Sequence, residues 1–235
     1  FSFDPDNVWF RRIAELYAEG MKRWQGQVLM GMADLGGNLD ILSTFRPGEK
    51  LLLDLYDHPE DVRRLTWEAH EAWHQVYRAL NQILQPHNPG YSDWSGIYSA
   101  EPSYMLQCDF CYMIGPEMFD TFVKPELAAT CEKLPHAFYH LDGIGQLPHL
   151  ESLLAIQSLQ GVQWVPGTGQ ADCSHWPDVY KAIRRAGKLV QLFGSFDVLD
   201  TVTAQLGSAQ GIHLQGAWGA DRSAVRTQLA AYGID

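Results

Sequence analysis

The sequence predicts an α/β fold built around a parallel sheet, and three observations predict it. From about residue 103 onward, short apolar runs alternate with longer stretches of helical spacing, as βαβ units require. Each expected strand ends in polar, aromatic or glycine-rich residues, the usual composition of the carboxyl ends of strands in such folds. No low-complexity tract or charged linker divides the 235 residues, so one domain is expected.

In chain order, Asn7 to Trp24 carries Val8, Ile13, Leu16, Tyr17 and Met21 at helical spacing and reads as an amphipathic helix. QVLMGMADLGG, an apolar run stopped by two glycines, reads as a buried strand and turn. A long helix is expected from about His58 to Leu84, with Pro59 in its first turn. QPHNPGYSDWSGIYSAEP reads as a loop, long enough to act as a lid. SYMLQCDF, HAFYHLDG, GVQWVPG, KLVQLFGS and GIHLQGAWG then read as strands, giving six in all. GPEMFDTFVKPELAATCEKL, LPHLESLLAI, WPDVYKAIRRAG, VLDTVTAQLG and RSAVRTQLAAY read as the helices after them.

Bulk properties bound the function. A formal net charge of −11 argues against nucleic acid, whose phosphates require a basic face. No apolar run approaches the length of a membrane span, and the amino-terminal residues lack the pattern of a signal peptide. Four cysteines in a chain of this size make no disulfide scaffold, so a cytoplasmic setting is expected. Cys108 and Cys111 form a single C-x-x-C, which without a second pair reads as packing. The chain opens on Phe1, as expected of a processed chain or a piece of a longer one.

The candidate site lies at the strand ends. Alternation places Phe138, His140 and Asp142 on one face of their strand and Tyr139 and Leu141 on the other. His140 is a candidate metal ligand or general acid/base, with Asp142 orienting it or sharing the metal. The competing reading is a strand-end histidine bonded to backbone, with Asp142 capping the turn. Asp109 and Asp34, also at expected strand ends, are candidates for substrate contact or a second acid/base pair. Trp94, Tyr98, Trp164, Phe193 and Trp218 are candidate linings of an aromatic substrate pocket. Gly36 and Gly37, ahead of Asn38, are a candidate anion cradle.

LQCDFCYMIGPEMFDTFVKPEL, FYHLDGIGQLPHLESL, GVQWVPG, LVQLFGSFD and IHLQGAWGADRSAVRTQL, with MADLGGNLDIL before them, resemble the uroporphyrinogen decarboxylase superfamily in their order and spacing. The resemblance covers roughly residues 27 to 232. It implies a (β/α)8 TIM-barrel type fold, with about six of the eight βα units recognisable here. Two open sheet edges would then need covering, by the helix at 7–24 or by a second copy of the chain in a homodimer.

The resemblance also implies an enzyme acting on a small molecule, either a methyltransferase using a corrinoid methyl donor or a decarboxylase of a tetrapyrrole or other carboxylate. The methyltransferase branch carries a zinc His-x-Cys on this strand and a further cysteine after the last strand. Here Asp142 stands at the first cysteine, and Trp218 or Ala217 near the second. His140 and Asp142 would hold zinc or another, harder divalent metal. No D-x-H-x-x-G motif is present, so the corrinoid would come from a partner protein. The decarboxylase branch implies an aspartate, for which Asp109 is placed, and cavity arginines. Arg46, Arg63, Arg64, Arg78, Arg184, Arg185, Arg222 and Arg226 all fall in expected loops or helices. A barrel-derived binding or subunit protein without catalysis is the reading from a different class.

Overall fold

The computed structural model describes residues 1–216 and 221–234. The parallel sheet is present, with five strands: β1 (Met105–Leu106), β2 (Phe138–Asp142), β3 (Gly161–Val165), β4 (Leu189–Phe193) and β5 (Ile212–Gln215). They lie side by side in chain order, every pair parallel. Among the described residues the sheet stays open and does not close into the expected (β/α)8 barrel.

The missing sixth strand has a physical cause. The run around Met30–Asp34 makes one parallel bridge, Met32 with Asp93, and no ladder. The Met32 amide donates to the Ser92 carbonyl at 2.8 Å, and side chains meet several of the other backbone groups. Asn88 accepts from the Met30 amide and donates to the Met30 carbonyl, while the hydroxyls of Tyr17 and Tyr104 accept from the amides of Ala33 (2.5 Å) and Leu35 (2.6 Å). β1 is cut short for a similar reason. The Asp93 carboxylate accepts from the Met105 amide at 2.6 Å, on the edge where a neighbouring strand would sit.

Helix α1 (Val8–Trp24) is capped by the Asn7 side chain, packs on α4 and reaches the bridge segment through Tyr17. Thus the helix expected to cover an edge lies beside the segment that failed to become a strand. α4 (Pro59–Leu84) matches the long helix read from its spacing. Two further helices precede α4: α2 (Asn38–Phe45), directly after Gly36–Gly37, and α3 (Gly48–Asp57), which was not expected. α2 begins where Gly37 passes so close to the Gln107 carbonyl that a Cβ would lie 2.5 Å from it.

The helix expected over 115–134 is divided into one turn, α5 (Pro116–Met118), a π-helical stretch at Phe119–Val123, and α6 (Lys124–Lys133). Pro125 has no N–H to donate to the preceding turn, which fits the local change of pitch. α7 (Leu150–Leu154), α8 (Pro177–Arg185), α9 (Phe196–Leu206) and α10 (Arg222–Ala230) follow β2, β3, β4 and β5.

Between α4 and α6 lies a buried polar cluster. Glu126 accepts from Asn38 Nδ2 (2.7 Å), Thr130 Oγ1 (2.7 Å) and His70 Nδ1 (2.8 Å), and Lys133 donates to His70 Nε2 (2.8 Å). Burial pushes the Glu126 carboxyl up, but these donors more than offset it and hold the group below the usual glutamate range.

The two faces of the sheet differ in chemistry. Tyr139, Leu141, Val162, Trp164, Val190 and Leu192 are buried on the face that meets the helices. The other face carries His140, Gln163, Gln191 and His213 in one row across β2 to β5. The segment around Trp94 and Ser95 lies over that row.

Candidate functional site

At the carboxyl end of β2, Gly143 adopts a positive φ (79°), which turns the chain directly after Asp142. Asp142 and His140 share the polar face, as alternation requires, with His140 Nε2 3.9 Å from Asp142 Oδ2. Asp109 opens a short 3₁₀ turn (Asp109–Met113) just after β1. One ligand atom from each of Asp109, His140 and Asp142 lies within 4.8 Å of the other two.

Asp109 and His140 are each held from behind. Asp40, in the first turn of α2, accepts from the amides of Asp109 (2.8 Å) and Phe110 (2.7 Å) and so fixes the 3₁₀ turn. Burial pushes the Asp40 carboxyl up to about 6, against the two amides that favour its charge, and the nearby Asp109 and Asp34 add to the rise. The carboxyl of Asp109 is likewise raised, first by burial; His140 opposes the shift, and Asp142 and Asp34 add to it. His140 Nδ1 is hydrogen-bonded to Gln163 Oε1, opposite it on β3. Trp94 meets the His140 ring edge-on, with ring centroids 5.2 Å apart. The Trp94 indole N–H is buried without a hydrogen-bond partner among the described residues.

The expected site residues do not all gather here. Asp34 flanks the cluster, exposed, and accepts from the Gly36 amide at 2.8 Å and from Gln107 Nε2. The supposed anion cradle at Gly36–Gly37 is thus engaged by the chain's own carboxylate. Phe193 ends β4 on the face of Gln191. Trp164 is a correction: it is fully buried on the helix-facing side, edge-on to Trp176, because Gln163 takes the polar face of β3. Tyr98 is another, for it lines a hollow with His136, Phe138 and Leu189 at the amino ends of the strands. Trp218 lies outside the described residues.

No family model, no curated protein and no solved structure matches the chain.

Among the described residues, this is the one group of histidine, cysteine and acidic side chains so gathered. One imidazole nitrogen and two carboxylates form a hard donor set, suited to zinc, manganese or iron. His140 meets the ordinary requirement of a ligand histidine, its second ring nitrogen being fixed by an outer partner. Asp109 is exposed, so the cluster is open on one side. Soft ligands are absent from it. Cys108, Cys111 and Cys173 are buried elsewhere, and burial pushes the thiols of Cys108 and Cys173 up, away from thiolate. Among the described residues no helix is long and apolar enough to cross a membrane.

Three contributors escape sequence reading. Asp40 lies 69 residues from the amide it holds, and Gln163 and Gln191 look like ordinary polar strand residues. Their one signal is an amide side chain in the centre of an otherwise apolar strand, a position that burial makes costly unless both ends of the amide are paired.

Proposed function

We propose that the chain is a metal-assisted enzyme of the uroporphyrinogen decarboxylase-like kind. It acts on a small molecule at the carboxyl ends of β1 and β2, on the methyl-transfer side of that superfamily. The methyl group comes from a corrinoid carried by a partner protein, and the setting is cytoplasmic. The observation that carries the reading is the convergence of Asp109, His140 and Asp142, three acceptors with an open side.

In this reading His140 Nε2, Asp142 and Asp109 hold a divalent ion. When bound, the ion supplies Lewis acidity, lowering the pKa of a thiol, hydroxyl or water on the acceptor. Asp34, close enough to Asp109 to raise its carboxyl, receives the proton the acceptor loses. Trp94 restricts water on the His140 side. The decarboxylase alternative gains no support from the arginines: Arg46 is paired with Asp54, Arg63 with Glu60, Arg64 with Asp61 and Glu68, and Arg184 with the Lys188 carbonyl.

Elemental analysis by mass spectrometry tests the metal. Near-stoichiometric zinc, manganese or iron is expected in the wild type, with affinity lowered at least about 100-fold in His140→Ala. No metal in either protein overturns the reading. Methylcobalamin, offered with a thiol to the metal-loaded protein, tests the reaction class; demethylation that depends on His140 is the expected result.

A further inference from the structure

Behind His140 runs a chain of side-chain amides that ends on a backbone carbonyl. Gln163 Oε1 faces His140 Nδ1, Gln163 Nε2 donates to Gln191 Oε1 at 2.6 Å, and Gln191 Nε2 donates to the Ser95 carbonyl and to Gln215 Oε1, both at 3.0 Å. Gln163 and Gln191 are fully buried, so neither amide has water as a fallback.

The direction of this chain is set at its far end. A backbone carbonyl only accepts, so Gln191 must turn its NH₂ toward Ser95 and its oxygen toward Gln163. Gln163 then presents its NH₂ to Gln191 and its oxygen to His140. That oxygen also only accepts, which leaves the proton of a neutral His140 on Nδ1 and the lone pair on Nε2. Reversing the imidazole would reverse both amides and press the Gln191 oxygen against the Ser95 carbonyl, a buried acceptor facing a buried acceptor.

We propose that Gln163 and Gln191 are positioning residues that carry the polarity of the Ser95 carbonyl to His140 and commit its unprotonated Nε2 to the Asp109–Asp142 cluster. The consequence is a cluster of three acceptors with no donor among its members, which favours a cation over a neutral hydrogen-bonding ligand. The Ser95 carbonyl thereby sets the chemistry of a strand end to which it is linked through two glutamines. The claim about the tautomer stands on these hydrogen bonds alone; its bearing on metal affinity rests on the reading proposed above.

Nitrogen NMR of metal-free protein, labelled with ¹⁵N in its histidine rings, tests the two separately. The spectrum is taken at about pH 9, above the ordinary histidine range, so that neutral rings are observed. His140 is assigned by the signal missing from His140→Ala. The expected wild-type result is a proton on Nδ1 and a bare Nε2. A wild-type His140 protonated on Nε2 overturns the proposal, whatever the protein does with metal.

Gln191→Met should move the ring toward a mixture of tautomers and weaken manganese or zinc binding about 10- to 100-fold. Adding Gln163→Glu to that variant should restore the Nδ1 proton, because a carboxylate accepts from it without needing Gln191. An unchanged tautomer in Gln191→Met also overturns the relay. Wild-type protein with the Nδ1 tautomer but no metal affinity leaves the relay standing and removes the metal reading alone.

Discussion

His70 and His140 each face a carboxylate, and the two pairs are opposites. At His70 every polar end is answered. Glu126 receives three donors, and the far nitrogen of the imidazole receives Lys133. At His140 the ring nitrogen nearest Asp142, together with Asp142 and Asp109, presents acceptors to one another across less than 5 Å. A closed set of donors and acceptors belongs to packing, since it asks for nothing further. An open set of acceptors asks for a cation. Counting donors against acceptors separates the two where residue identity does not.

Glu126→Ala should break the closed set and cost about 3–5 kcal/mol, because it leaves His70, Asn38 and Thr130 buried without their acceptor. Urea denaturation measures this, and a loss below about 1 kcal/mol would deny the cluster its structural role. The open set should respond to ligand instead. Manganese or zinc at about 100 times the wild-type dissociation constant should raise wild-type stability by about 2.7 kcal/mol, and should raise His140→Ala by no more than about 0.4 kcal/mol.

A pH series sharpens the contrast. Burial, helped by His70 and Lys133, pushes His74 down to about 4. An unfolded chain takes up that proton near 6.5, so His74 removes stability as pH falls from about 6.5 to about 4. Asp40, raised to about 6, works in the opposite sense, its contribution being lost as pH rises from about 4 to about 6. His74→Phe should therefore turn a shallow acid loss between pH 7 and pH 5 into a slight gain, read as the shift in urea midpoint. The smallest effect is expected from Asp142→Asn without metal. Relieving a carboxylate beside Asp109 should change stability by less than about 1 kcal/mol, in the stabilising direction.

Much of the scaffold was legible because it is local. The spacing of Val8, Ile13, Leu16 and Tyr17 marks α1, and the alternation in FYHLD orients His140 and Asp142 together. What was not legible is register. That Gln163 stands opposite His140, and that Asp40 reaches back to the amide of Asp109, depends on pairings across 23 and 69 residues that no local pattern encodes. The same limit misplaced Trp164. It also made a strand of Met30–Asp34, whose backbone partners, apart from the bridge at Met32, turned out to be hydroxyl and amide side chains from Tyr17, Asn88 and Tyr104.

The Asp93 carboxylate on the Met105 amide has a consequence for how these molecules behave in a crowd. Uncovered sheet margins invite chains to stack on one another, and a two-residue strand is a poor template to begin with. Here the margin's own amide is already bound by a buried carboxylate, which Ser95 also holds through its amide and hydroxyl. A strand arriving from another molecule would have to dislodge that carboxylate and its partners together, so this rim of the sheet is guarded against polymerisation.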